Sequence, residues 1–160
     1  MTAPATRSRS ITLPSAPVLV GAVYGICVLG LIAVLVGEIV LTDGDPHRSE
    51  GPIASIIAVG TCGTAALVIG VGLGSWLVRT PDRARAGALL LGAVSVLTLP
   101  VFWSGAPGVL GACAVWVAGL TRGGRPLAGA ARAAGIVGAF VALLNVVLLF
   151  GGVLAPAVSG

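Results

Sequence analysis

The stretch Ala86–Leu120, AGALLLGAVSVLTLPVFWSGAPGVLGACAVWVAGL, decides the fold of this chain. It runs for about 35 residues without a charge, too many for one membrane span of about 20 and barely enough for two. Pro100, Trp103, Ser104, Gly105, Pro107 and Gly108 cluster at its middle, the composition of a turn. The pattern predicts one helix over Ala86–Trp103 and a second, short one over Pro107–Leu120. At 1.5 Å per residue the second is only about 21 Å long, below the roughly 30 Å of a hydrocarbon core. It either thins the bilayer locally or belongs to a hairpin that does not cross completely.

On either side of this stretch the chain alternates apolar runs with short polar connectors. Pro17–Leu41 is about 25 residues long, longer than a signal-peptide core, and no small-x-small cleavage pattern follows it, so it reads as a retained span. The connector Thr42–Gly51 holds Asp43, Asp45, His47, Arg48 and Glu50, with Gly44 and Pro46 making it a turn. Pro52–Val78 forms a second span. Arg79–Arg85 is the next connector, in which Pro81 is expected to break the helix. Thr121–Arg132 is rich in glycine and arginine, and Ala133–Leu154 forms the last span. Residues 1–16 read as a disordered cytoplasmic tail and 155–160 as a short external one. The expected unit is a single transmembrane helical domain over residues 17–154, with spans at 17–41, 52–78, 86–103, 107–120 and 133–154.

Composition sets the class. Hydrophobic residues make up 57% of the chain and charged ones 9%, against about 25% charged in ordinary soluble domains. So few charges cannot clothe a soluble surface, so lipid must cover the apolar runs. The fold class is therefore all-α, a polytopic transmembrane bundle of five spans. The net charge of +4 comes entirely from arginine. These arginines sit in small groups between apolar runs without interleaved aromatics, which fits topology signals and excludes nucleic-acid binding. Arginine without lysine, beside abundant Ala, Gly and Val, fits a GC-rich genome and points to the plasma membrane of a high-GC bacterium. Cys27, Cys62 and Cys113 lie far apart and His47 is the single histidine, so neither a metal site nor a cofactor is expected.

Charge bias fixes the orientation. With the N-terminus inside, Arg7 and Arg9, then Arg79, Arg83 and Arg85, then Arg122, Arg125 and Arg132 all fall in the cytoplasm. The acidic connector with Asp43, Asp45 and Glu50 falls outside, and only Arg48 departs from the rule. A membrane-dipping hairpin over 86–120 keeps the same bias, because it also returns the chain to the cytoplasm. Trp76, Trp103 and Trp116 then come near the ends of their helices, where indole favours the headgroup boundary.

Two intramembrane polar residues stand out. Glu38 lies about one turn before Leu41, where a carboxylate could handle protons or cations or could reach an acidic outer rim with Asp43, Asp45 and Glu50. Asn145 is deepest, near the middle of the last span, and an amide there seeks a partner on another helix. Thr61, Thr64, Ser75, Ser95 and Thr98 can bond their own backbone carbonyls. Small residues four apart, Gly21 and Gly25, Gly70 and Gly74, Ala131 and Gly135, Ala134 and Gly138, are candidates for close helix packing.

No nucleophile–base pair, paired intramembrane acids or motif supports an enzyme. The expected role is an accessory or assembly subunit of a larger membrane complex, whose partners are the bilayer and either another membrane protein or a second copy. The alternative is a homo-oligomeric ion channel or transporter using Glu38 and the acidic outer rim.

Overall fold

A computed structural model describes the backbone of residues 13–41 and 52–158, and most side chains of 13–36 and 60–151. The described residues form α-helices and turns, with no strand among them. The order is α1 Ala16–Leu41, α2 Pro52–Leu77, α3 Pro81–Leu97, a 3₁₀ helix Leu99–Ser104, α4 Ala106–Val117 and α5 Ala130–Val158. Two of them, α2 through Gly60–Leu77 and α5 through Ala130–Gly151, are long and apolar enough to cross a membrane. The acidic connector with Asp43, Asp45, His47, Arg48 and Glu50, and the tail with Arg7 and Arg9, lie outside the described residues.

Several boundaries differ from the sequence reading. Pro81 opens α3 rather than breaking a helix, so Arg83 and Arg85 belong to that helix and not to a connector. The reason is positional: a first-turn N–H has no intrahelical acceptor, so proline loses nothing there and its fixed φ suits the helix. Thr80 before it is extended, at φ −134° and ψ 143°, as a residue preceding proline prefers. α3 then stops at Leu97, short of the expected Trp103, and Pro100 sits in the 3₁₀ helix that follows. α4 ends at Val117 rather than Leu120, and α5 starts at Ala130 and runs to Val158, beyond the expected Leu154.

α4 is the axis around which the rest packs. Its sequence APGVLGACAVWV offers no polar face, and such a helix is stable only when surrounded. Every residue of α4 is buried except Trp116, which is half-buried. Its neighbours are α5, α3, α2 and α1. Small side chains allow the approach. A Cβ on Gly111 would collide with the Gly138 carbonyl of α5, and one on Gly138 would stand 2.7 Å from the Gly111 oxygen. A Cβ on Gly135 would come 2.5 Å from that of Ala118. On the α2 side Gly70 lies against Cys113 and Gly74 against the Trp116 ring. Such contacts are individually worth only about 0.1–0.2 kcal/mol per atom pair and become decisive by number.

α4 ends in a Schellman motif. Gly119 takes φ +72°, its N–H donates to the Trp116 carbonyl, and the Leu120 N–H donates to the Val115 carbonyl. The connector beyond it folds back, with the Leu127 N–H on the Ala118 carbonyl and the Arg122 N–H on the Pro14 carbonyl. The start of α1, the end of α2, the start of α3, the end of α4 and the start of α5 therefore meet at one end of the bundle. Arg79, Arg83, Arg85, Arg122, Arg125 and Arg132 are all exposed there. Arg83 lies over the Trp76 ring at 4.5 Å, and Arg85 pairs loosely with Asp82 at 3.7 Å on the exposed surface.

The turn between α3 and α4 does not reach the opposite end. Gly105 sits against Cys27 of α1, the Ser104 carbonyl against Gly63 of α2, and Gly108 against Asn145 of α5. From those levels α1 continues for roughly 21 Å, α2 for roughly 17 Å and α5 for roughly 20 Å, at 1.5 Å per residue. Trp103, expected near a helix end facing the far boundary, is at this turn and 51% exposed, level with the middle of the long helices.

Candidate functional site

The described residue with the most conspicuous polar chemistry is Asn145. It is fully buried on α5 and reaches across to α1, where its Nδ2 donates to the Cys27 Sγ at 3.6 Å. Its Oδ1 is buried without a partner. Gly108, in the first turn of α4, makes room for the amide, since a Cβ there would stand 3.2 Å from Nδ2. Three helices thus meet at one side chain. Such a group ties α1, α4 and α5 together and fixes their register, because a mispaired arrangement would leave the whole amide unsatisfied.

Beside it lies a cavity of about 30 Å³ lined by Tyr24, Cys27, Gly60, Gly63, Ser104 and Gly105, among others. That volume has room for a single water. Around it the polar groups bond one another. The hydroxyls of Tyr24 and Thr64 are 3.0 Å apart, the Ser104 hydroxyl donates to the Val101 carbonyl at 2.7 Å, and the Ala106 N–H donates to Ser104 Oγ at 3.2 Å. Ser104 therefore satisfies a carbonyl and an N–H of a turn set deep in the bundle, where an unmet backbone group would cost most.

The hydroxyls expected to bond their own helix do so at Thr61, Ser75, Ser95 and Thr98. Thr64 is the exception. It faces Tyr24 on α1 and forms the side-chain bond between α1 and α2. Gly70, Gly74, Gly135 and Gly138 stand at contacts with α4, whereas Gly21 and Gly25 face nothing within 4 Å. The helix carrying Glu38 is described, but the Glu38 side chain lies outside the described residues. Cys27, read from sequence as a small hydrophobe, is buried and also accepts the Asn145 bond. Gly108, read from sequence as part of the turn, and Gly111 were not recognised as packing positions, because they are spaced three apart rather than four. Among the described residues no group of three or more metal-ligating side chains comes together.

The three cysteines give a direct check of this packing. Cys62 is exposed on α2, while Cys27 and Cys113 are buried. Treating the folded protein in mild detergent with excess maleimide should add one label per chain by intact mass, and denaturation should raise this to three. Two or three labels before denaturation would contradict the arrangement around α4.

No family model matches this sequence, and neither a curated protein nor a solved structure is similar to it.

Proposed function

We propose that this chain is a multi-pass plasma-membrane protein, N-terminus cytoplasmic, that serves as an accessory or assembly subunit docked against another membrane protein. The reading places the arginine end in the cytoplasm. α1, α2 and α5 cross, at about 39, 39 and 43 Å long, and α3 with α4 enters from the cytoplasmic side and returns. This hairpin is preferred to five full crossings because its turn stops level with Cys27, Gly63 and Asn145. Irregular backbone at such a depth is tolerated where protein surrounds it, as Ser104 and Gly105 are surrounded, while Pro100, Val101 and Trp103 just before them are exposed.

The observation that carries the docking role is the set of small residues left open on α1 and α2. α3 and α5 expose large apolar side chains, Leu89, Leu90 and Leu97 on one and Ile136, Phe140, Leu143 and Val147 on the other, as a lipid-facing surface should. The α1–α2 side also exposes large apolar side chains, among them Leu29, Val68 and Ile69, and between them the small residues Ala22, Gly60, Ala65 and Gly72. In lipid, helices associate where small residues let backbones approach. Small residues left open beside a core already packed on glycine fit the close approach of a second protein's helix. The axis of one protomer is filled by α4 at the arginine end, so the homo-oligomeric channel alternative would have to conduct between protomers.

The test is affinity purification of the tagged full chain from its native membrane in mild detergent. A stoichiometric membrane partner is expected, and Gly72→Leu should reduce its recovery about tenfold, equivalent to about 1.4 kcal/mol. A Cβ at Gly72 meets nothing within 4 Å, so the chain itself should keep its thermal midpoint. Recovery of the chain alone as a homo-oligomer would remove the accessory reading, and Glu38→Gln would then be assayed for ion flux.

A further inference from the structure

We infer that the groove between α1 and α2 at the arginine end holds one acyl chain of an anionic phospholipid, whose headgroup is taken by the neighbouring arginines. This rests on the membrane reading. The groove has a volume of about 550 Å³ and is lined by Val20 and Gly21 of α1, Leu67, Val68 and Val71 of α2, and Trp116 of α4, among others. None of these six side chains carries a charge, and the single polar atom among them is the Trp116 indole N–H. Gly21 widens the groove, since a Cβ there would meet nothing within 4 Å.

The mouth is basic. Ala16 and Pro17 line the groove where α1 begins, and Pro14, two residues earlier, accepts the backbone N–H of Arg122 at 2.9 Å. Arg122 and Arg125 are exposed on that connector, and Arg79 is exposed in the turn that follows α2, two residues beyond Leu77. Asp82, the one acidic side chain described at this end, lies beside Arg85 instead. An apolar slot opening sideways near guanidinium groups that no described carboxylate pairs with matches a lipid with a negative headgroup and an apolar tail. Basic pockets between helices on the cytoplasmic side bind such headgroups through charge, worth about a fivefold affinity gain per arginine. A partner helix would match the slot but would leave the arginine rim unanswered.

The test uses the full chain in vesicles of phosphatidylcholine with one fifth phosphatidylglycerol, extracted gently and weighed by native mass spectrometry. Wild type should retain one phosphatidylglycerol per chain in preference to phosphatidylcholine. Gly21→Leu should abolish retention, as should Val68→Phe from the opposite wall. Arg122→Gln should lower the preference for phosphatidylglycerol about fivefold without lowering total lipid retained. Circular dichroism confirms that each variant remains folded; at least one groove variant must do so, and its unchanged lipid retention would overturn the proposal. Equal retention of the two lipids by wild type would also overturn it. So would loss of a co-purifying protein from Gly21→Leu with lipid unaffected, which would assign the groove to a helix. Carbonate washing separates the two readings: a chain released from membranes without detergent fails the membrane reading, whereas one that stays but shows no lipid preference fails only this inference.

Discussion

Gly138→Ala should lower the thermal midpoint of the detergent-solubilised protein by roughly 2–8 °C, whereas Gly21→Ala and Gly25→Ala should leave it unchanged or raise it slightly. All three substitutions add one methyl group to a helix and carry the same intrinsic helical gain, up to about 1 kcal/mol. They differ in what the methyl meets. At Gly138 it would stand 2.7 Å from the Gly111 carbonyl oxygen and 2.8 Å from the Ala114 Cβ, and neither can move without separating α4 from α5. Overpacking of this kind costs about 1–3 kcal/mol or more, and each kcal/mol lowers the midpoint of a chain this size by about 2–4 °C. Gly111→Ala should behave like Gly138→Ala, because the same crossing is loaded from its other side. An unchanged midpoint for both crossing variants would show that α4 is not held against α5 as described.

The second large effect concerns the turn between α3 and α4. With Cys27, Cys62 and Cys113 replaced by serine, a single Trp103→Cys should remain unlabelled by a membrane-impermeant maleimide applied to intact cells. Thr42→Cys, placed outside by the charge bias, should label, and Arg125→Cys should label only after permeabilisation. A hairpin that stops within the hydrocarbon shields position 103 from both aqueous phases. Five full crossings would bring it to the outer surface and give labelling comparable to Thr42→Cys. The two arrangements therefore differ by nearly the whole signal. Serine at position 27 keeps a hydrogen-bonding group near Asn145, so the background remains close to the native core.

The helical class was readable from the uncharged runs, because connectors with Gly, Pro and Arg punctuate them so clearly. Helix starts near Pro17 and Pro52 were also readable. Pro81 was misread for an instructive reason: proline before an apolar run is a start signal, but three arginines nearby gave the segment the look of a loop. The termination of α3 at Leu97 was hidden by the continuing apolar residues Leu99, Val101, Phe102 and Trp103, which a hydropathy reading carries through. The polar point at Asn145 was legible as an amide needing a partner on another helix. That the partner is Cys27 was not legible, since nothing in a sequence brings together two residues 118 positions apart. Which glycines pack and which stay open depends on the rotation of each helix about its axis. The pairs Gly21/Gly25 and Gly70/Gly74 look alike to a spacing rule, yet Gly70 and Gly74 face α4 while Gly21 and Gly25 meet nothing within 4 Å.

The enclosure of α4 also constrains how the protein can be made. Its twelve residues are far short of the roughly 20 needed to enter a bilayer as an independent helix. It emerges from the ribosome after α1, α2 and α3 but before α5, which supplies the closest wall of its site at Gly135 and Gly138. During synthesis α4 therefore has no completed resting place until the last helix arrives. Assembly must end with α5 closing over a segment already waiting at the membrane, and a chain stopped before Ala130 would leave α4 with one side open.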